Sequence, residues 1–212
     1  MIMGTIYIII ASVLWGLFHS ILASHAFKHL VRQLSGPVVF YKLYRFSYNL
    51  FSVASFLPLI IMAAVFPDSP LYSIPSPWVY LTTIIQGMAV FALIAGVMQT
   101  GLMEFSGLAQ LSPAYSDMKP TGLVMDGLYK YVRHPLYSSG LVFIWFSAEM
   151  SVNRFVLWLV MTVYIIIGAF FEERKLLIDF GEEYSSYKAR TPMLIPGWFH
   201  IQRSNGNEKT KK

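Results

Sequence analysis

The chain has 212 residues, of which 56% are hydrophobic and 13% charged, and its mean hydropathy is +0.55. This balance excludes an ordinary soluble domain, because so much apolar surface must face lipid. The absence of cysteine excludes thiol nucleophiles, disulfides and thiolate-based metal sites. The net charge of +5 does not indicate nucleic-acid binding, since the positive residues lie between apolar segments and in the C-terminal tail.

Five apolar segments are candidates for membrane-spanning helices, which need roughly 20 residues each. They cover residues 2–22, 50–66, 79–98, 135–150 and 155–171. The first lacks the basic start of a secretory signal peptide, so we expect it to remain as a membrane helix. The last two are separated by only a few residues, which predicts an antiparallel helical hairpin.

The distribution of positive charge predicts the orientation. Of the 16 Lys and Arg residues, 15 lie in segments 28–45, 119–133 and 174–212, which this topology places on one side; Arg154 alone lies opposite. Positive loops stay on the cytoplasmic side, so we expect the N-terminus outside and the C-terminus inside. The proline-rich segment 67–77 is then an external loop. This pattern is typical of a multi-pass protein of a bacterial inner membrane.

The predicted fold is therefore an all-α integral membrane domain of about five transmembrane helices, with a cytoplasmic C-terminal site. We expect a single domain over residues 1–200. Within it, residues 1–104 form an N-terminal three-helix part and residues 105–200 a cofactor-binding hairpin part. Residues 201–212 form a polar, basic tail.

The stretch TGLVMDGLYKYVRHPLYSSG, residues 121–140, carries the densest set of candidate functional residues. Pro135 begins the fourth predicted helix, and the free N–H groups just beyond it form an anion site. Arg133 and His134 add donors beside that site. Three tyrosines offer π faces to an adenine or a sulfonium, namely Tyr129, Tyr131 and Tyr137. The alternative is that all these residues are interfacial membrane anchors.

Glu172 and Glu173 follow the fifth predicted span and are expected at the same cytoplasmic mouth. A carboxylate there can bind the amino group or ribose hydroxyls of a ligand. The alternative is a solvated, charged helix end.

Together these two regions resemble the isoprenylcysteine carboxyl methyltransferase superfamily of integral membrane enzymes. The resemblance covers residues 121–196. The residues that match its paired motif are Gly127, Tyr129, Arg133, His134, Pro135 and Tyr137, then Glu172, Glu173, Leu176, Phe180, Gly181, Tyr184 and Tyr187.

The resemblance implies S-adenosyl-L-methionine as the cofactor. The residues implied to hold it are Thr121, Gly122, Leu123, Val124, Tyr129, His134, Pro135, Leu136, Tyr137 and Glu172. Arg133 and Glu172 are also candidate catalytic residues. Gly168 stands where similar eukaryotic enzymes carry a substrate-contacting arginine, which argues against prenylcysteine as the substrate.

The N-terminal half contains FHSILAS, residues 18–24, and YRFSYN, residues 44–49, which look like the NnrU/nurim branch that includes bacterial methanethiol S-methyltransferases. Polar groups at membrane depth are costly unless they are partnered or functional. We therefore expect a substrate pocket, with interhelical hydrogen bonding as the alternative role. Its candidate residues are His19, Ser20, Arg45, Tyr48 and Asn49. No ligand pattern indicates a metal.

The predicted function is transfer of a methyl group from S-adenosyl-L-methionine to a small or lipid-soluble acceptor, with a methanethiol-like thiol favoured. Such a displacement requires alignment and desolvation rather than a metal. Membrane lipids are expected partners and nucleic acid is not; the oligomeric state stays open. The alternatives are an isoprenylcysteine carboxyl or phospholipid methyltransferase, a sterol-reductase-like NADPH oxidoreductase, and a non-catalytic scaffold of the nurim type.

Overall fold

The computed structural model describes residues 2–112 and 122–197. These residues form seven α-helices and a two-stranded ribbon: α1 (Ile2–Ala23), α2 (His25–Ser35), α3 (Pro37–Val65), β1 (Pro70–Ser73), α4 (Trp78–Gln99), α5 (Leu102–Ser106), α6 (Pro135–Trp145), β2 (Glu149–Ser151) and α7 (Val152–Arg190). Four of the helices, α1, α3, α4 and α7, are long and apolar enough to cross a membrane. The chain is an all-α, multi-pass membrane protein, as predicted.

Three helices differ from the predicted spans, and one of them, α7, continues to Arg190 rather than ending near residue 171. The second predicted span is the latter half of α3, and the short helix α2, which was not predicted, precedes it. The fourth ends at Trp145, so the prediction of helix as far as residue 150 is wrong. Its final residues instead form β2, which pairs with β1. With 11 residues, α6 is roughly 16 Å long, about half the thickness of the hydrocarbon core.

The β1–β2 ribbon ties the segment after α3 to the start of α7. Its antiparallel register pairs Tyr72 with Met150 and Ser73 with Glu149. Asn153, which is fully buried, adds a polar connection here. Its Oδ1 accepts a hydrogen bond from Thr5 Oγ1 at 2.9 Å, and its backbone N–H donates to Asp68 Oδ1 at 3.0 Å. The start of α1, the end of α3 and the start of α7 therefore meet at one end of the bundle.

Two packing contacts build the bundle. An apolar core joins α1, α3 and α7 through Ile8, Leu59, Ala63, Leu157 and Met161. The helices α4 and α6 pack closely at Gly96, where a Cβ atom would lie 2.8 Å from Leu136 Cδ2. Such small residues are common where membrane helices approach closely. Many large apolar side chains point outward, as lipid contact requires.

The predicted hairpin of the last two apolar helices is present. Tyr137 on α6 contacts Glu172 on α7, and Trp145 donates a hydrogen bond to Thr162 Oγ1 at 2.9 Å. The later residue on α6, Trp145, contacts the earlier residue on α7, Thr162, so the two helices run antiparallel. The mouth of the hairpin holds the residues of the paired motif.

Candidate functional site

The turn before α6 is held by the end of α4. The N–H of Leu128 donates to Gln99 Oε1 at 3.1 Å. Gly127 has a φ of 61°, a conformation that L side chains rarely adopt. This glycine begins a short 3-10 turn, Gly127–Lys130, which positions Tyr129. The first glycine of the motif is therefore required by backbone geometry.

The start of α6 is fixed by the segment after α7. The N–H groups of Arg133 and His134 donate to the carbonyls of Pro192 and Met193 at 2.9 and 3.1 Å. Ser138 Oγ donates to the carbonyl of Leu194 at 2.6 Å. Pro135 occupies the first turn of the helix, as predicted, and is buried. The motif thus lies on a rigid support rather than on a free loop.

Arg133 lies in a buried ion pair. Its Nε and Nη2 lie 2.6 and 2.5 Å from Glu173 Oε1, and its Nη1 donates to the carbonyls of Lys188 and Thr191. Lys188 Nζ lies 2.8 Å from the other oxygen of Glu173. Burial opposes ionisation of Glu173, but hydrogen bonds from Lys188 and Arg133 outweigh it and lower the pKa of this carboxyl. The contacts of Arg133 indicate a structural role; a catalytic role remains a prediction.

Glu172 lies in a different environment from its neighbour. Its side chain is 45% exposed, against 2% for Glu173. Tyr137 Oη donates to Glu172 Oε2 at 2.7 Å, and the His134 ring stacks on Tyr137 with centroids 5.3 Å apart. His134 Nδ1 lies 3.8 Å from Glu172 Oε2. The structure thus brings together three predicted cofactor residues around a carboxylate that can still accept hydrogen bonds from a ligand.

Two ionisable groups beside this carboxylate are neutral at pH 7. Burial lowers the pKa of His134, although Glu172 and Glu173 oppose the shift. Burial, and secondarily Glu172, raises the pKa of Tyr129 to about 12. Tyr131, by contrast, is 61% exposed. The mouth therefore combines a neutral imidazole and a neutral phenol with a carboxylate.

For the remaining predicted cofactor residues that the structure describes, it gives exposure or packing but no hydrogen bond to the Glu172 cluster. Gly122 is exposed, while Leu123 and Val124 are half-buried. Leu136 packs against Gly96 on α4. Thr121 lies outside the described residues.

The predicted substrate residues divide into two groups. His19, Ser20 and Tyr48 form one cluster with Tyr164 of α7, which the sequence reasoning missed. His19 Nδ1 lies 2.7 Å from Tyr164 Oη, His19 Nε2 lies 2.8 Å from Tyr48 Oη, and Ser20 Oγ lies 3.1 Å from Tyr164 Oη. Trp15 stacks on the imidazole at 4.9 Å. The one sequence signal for Tyr164 was the presence of a hydroxyl-bearing side chain within an otherwise apolar span.

The other two predicted substrate residues lie apart from that cluster. Asn49 Nδ2 donates to the carbonyls of Phe105 and Ser106 at 2.8 and 3.0 Å, and so caps α5. Arg45 is exposed. Burial, together with Lys175 and Arg45, lowers the pKa of Lys28, which identifies a cationic group formed by α2, α3 and α7. The contacts of Asn49 indicate a structural role. Substrate binding by Asn49 and Arg45 remains a prediction.

The His19 cluster and the Glu172 cluster adjoin. Tyr164, Gly168 and Glu172 are spaced four residues apart and so share one face of α7. A Cβ atom at Gly168 would find no other group within 4 Å, so this face borders open space. Gly168 therefore lies between Tyr164, one turn before it, and Glu172, one turn after it.

These features define a multi-pass membrane protein with a cluster of polar side chains at one mouth of its helix bundle. Comparison with known proteins identifies the class. The chain is 31% identical to methanethiol S-methyltransferase 1 of Bradyrhizobium diazoefficiens over 196 residues, which cover 89% of this chain and 67% of the relative. It is 37% identical to the methanethiol S-methyltransferase of Pseudomonas deceptionensis over 50% of this chain and 40% of the relative.

A eukaryotic enzyme matches a shorter region. The protein-S-isoprenylcysteine O-methyltransferase of Schizosaccharomyces pombe is 37% identical over 35% of this chain and 33% of its own length. No family model matches the chain. No solved structure gives a significant match. The chain belongs to the family of membrane methyltransferases formed by these relatives, and the predicted resemblance is confirmed.

Proposed function

We propose that this enzyme transfers a methyl group from S-adenosyl-L-methionine to a small thiol such as methanethiol. The observation that carries the proposal is the pairing of Tyr137 with Glu172 beside the open space at Gly168. The names of the bacterial relatives support the thiol as acceptor.

The donor set at the mouth fits S-adenosyl-L-methionine. Glu172, which is half-exposed, would accept hydrogen bonds from the cofactor's ammonium group or ribose hydroxyls. The aromatic face of Tyr137 suits a sulfonium or an adenine. His134, with its neutral ring, and the start of α6 would meet the carboxylate. Residues 121–124, with Tyr129, Pro135 and Leu136, would complete the site.

Two aromatic residues, Tyr164 and Tyr48, favour a small acceptor. Tyr164 lies one turn before Gly168 on α7, and its hydroxyl is joined through His19 on α1 to Tyr48 on α3. These rings, with His19 and Ser20, would enclose the acceptor. A nonpolar thiol would reach them from the lipid, because partition into apolar surroundings is favourable.

The cofactor, when bound, supplies an activated methyl group, and this chain's residues contribute alignment and exclusion of water. Holding the thiol sulfur in line with the methyl carbon turns a bimolecular displacement into an intramolecular one. The aromatic enclosure removes the hydration shell of the thiolate. Arg133 supports this geometry through the Glu173 ion pair.

We further propose that the site faces the cytoplasm of a bacterial cell and that residues 1–200 act as one domain. The distribution of Lys and Arg supports this orientation. The β1–β2 ribbon joins the two segments predicted to be external, so both lie on the same side, as this topology requires. Reporter fusions at the C-terminus should be active only on the cytoplasmic side; activity only on the external side would contradict the orientation.

Product analysis tests the proposed activity. Purified full-length protein in detergent micelles should form dimethyl sulfide from methanethiol only when S-adenosyl-L-methionine is present. NADPH serves as the comparison for the oxidoreductase alternative, and a phospholipid and a prenylcysteine serve as competing acceptors. Methyl transfer to the lipid or prenylcysteine but not to methanethiol would contradict the acceptor assignment.

A further inference from the structure

A chain of hydrogen-bonding side chains connects α1, α3 and α7. It links Ser20, Tyr164, His19 and Tyr48 through contacts of 3.1, 2.7 and 2.8 Å. A neutral imidazole has one N–H and one bare nitrogen. Tyr164 Oη lies beside Nδ1, whereas Tyr48 Oη lies 2.8 Å from Nε2 and 3.2 Å from Nδ1. In the tautomer with a bare Nδ1, Tyr164 donates a hydrogen bond to that nitrogen. After Nδ1 gains a proton, its N–H has Tyr164 Oη as an acceptor.

Only uncharged groups contact this imidazole among the described residues. The hydroxyls of Tyr48 and Tyr164 approach from α3 and α7, and Trp15 stacks on the ring from α1. The ionisable groups on the adjoining faces are Arg45, one turn before Tyr48, and Glu172, two turns after Tyr164. No carboxylate bonds to His19 in this part of the chain, so its ring is not committed to an ion pair.

Tyr164 places this chain on the same face of α7 as the proposed acceptor space. It lies one turn before Gly168, whose Cβ position borders open space. Gly16 on α1 packs against the ring, where a Cβ atom would lie 3.0 Å from Tyr164 Cδ2. The close approach of α1 therefore helps to fix the position of the ring.

We propose that Tyr164 and His19 form a proton relay that ionises the thiol acceptor, an inference that rests on the proposed function. The S–H proton passes to Tyr164 Oη as the Tyr164 proton passes to Nδ1 of His19, which becomes an imidazolium. The thiolate sulfur then bonds to the methyl carbon while the bond from that carbon to the donor sulfur breaks, and the electron pair stays on the donor sulfur. His19 later returns one proton to solvent.

Such a relay answers a chemical need of the reaction. A thiol with a pKa of about 8.5 or above is only a few per cent thiolate at pH 7, and the thiolate is the nucleophile. Assistance by a positioned acid–base group typically accelerates such steps about 10²- to 10⁴-fold. The relay should therefore matter most for thiols of high pKa and least for thiols already ionised.

The test compares two acceptors in full-length protein purified in detergent: an alkanethiol, and an aromatic thiol that is mostly ionised at the assay pH. Tyr164→Phe and His19→Gln should each lower kcat for the alkanethiol about 100-fold, but for the aromatic thiol by about threefold or less. Their alkanethiol rates should rise about tenfold per pH unit up to the acceptor's own pKa, since the rate then follows the thiolate fraction. S-adenosylhomocysteine affinity, from calorimetry, should stay within about twofold of wild type.

His29→Gln, an exposed histidine of α2, is the matched control and should behave as wild type with both thiols. Equal losses with both thiols in folded variants that still bind S-adenosylhomocysteine would overturn the relay while leaving the proposed function intact. A wild-type protein that methylates neither thiol would overturn both.

Discussion

Glu173 and Lys188 are 15 residues apart in α7, yet Lys188 Nζ lies 2.8 Å from Glu173 Oε2. A straight helix would separate them by roughly 22 Å. The chain turns at Gly181, whose φ of 54° and ψ of −123° are not helical. That turn folds residues 182–190 back toward the loop before α6, where Tyr187 Oη donates to the carbonyl of Tyr129 at 2.5 Å.

The first prediction concerns this turn. Gly181→Ala should destabilise the protein by about 1–3 kcal/mol, because a side chain at this φ is strained. It should also weaken S-adenosylhomocysteine binding, since the fold-back supports the Arg133–Glu173 pair. Thermal unfolding in detergent and calorimetry measure the two effects. Gly87→Ala, in open space on α4, is the control; equal stability of the two variants would contradict the structural role of the turn.

The second prediction concerns Gly168 as the residue that leaves room for the acceptor. Gly168→Leu should lower kcat/KM for methanethiol at least tenfold, or about 1.4 kcal/mol or more, by filling the space between Tyr164 and Glu172. Cofactor affinity should change by no more than about threefold. Gly87→Leu on α4 is the matched control. Unchanged methanethiol kinetics in Gly168→Leu would show that the acceptor binds elsewhere.

The third prediction concerns pH. Burial lowers the pKa of His134 below its ordinary value of 6.5, so the unfolded chain binds a proton here more readily than the folded protein does. The free energy of unfolding should therefore decrease as pH falls below 6.5, until the pKa of the folded state is passed. His134→Asn should reduce this dependence, measured as melting temperature from about pH 7.5 to about 5.5. Identical slopes for variant and wild type would contradict the assignment.

Much of the architecture was predictable because membrane spans and loop charges are strong signals. The uncharged runs of α1 and α4 are long enough and apolar enough to predict membrane spans directly. The hairpin followed from its short connection. The meeting of His134, Tyr137 and Glu172 followed from helix spacing within that hairpin and from the family resemblance.

Other features were not predictable from local sequence. Glu172 and Glu173 are adjacent and identical, and only the helical phase relative to Arg133 decides which one is buried. Gly181 is one glycine among several, and its turn is visible only through the contact it permits between Glu173 and Lys188. The role of Tyr164 is not visible in the sequence, because its partner His19 lies on α1 and meets it only in the folded protein.

The fourth prediction concerns Glu172, the carboxylate proposed to hold the cofactor. Glu172→Ala should weaken S-adenosylhomocysteine binding about ten- to a hundredfold, or about 1.5 to 3 kcal/mol, because a charge-assisted hydrogen bond is lost in a partly dry site. Glu183→Ala, an exposed carboxylate further along α7, is the matched control. Both variants should remain folded, since neither removes the Arg133–Glu173 pair.

Calorimetric titration of S-adenosylhomocysteine into wild-type, Glu172→Ala and Glu183→Ala protein tests the central claim most directly. The account predicts saturable binding by wild type and Glu183→Ala, and binding by Glu172→Ala weakened at least tenfold. Binding by folded Glu172→Ala that is as tight as in wild type would contradict the proposed cofactor site.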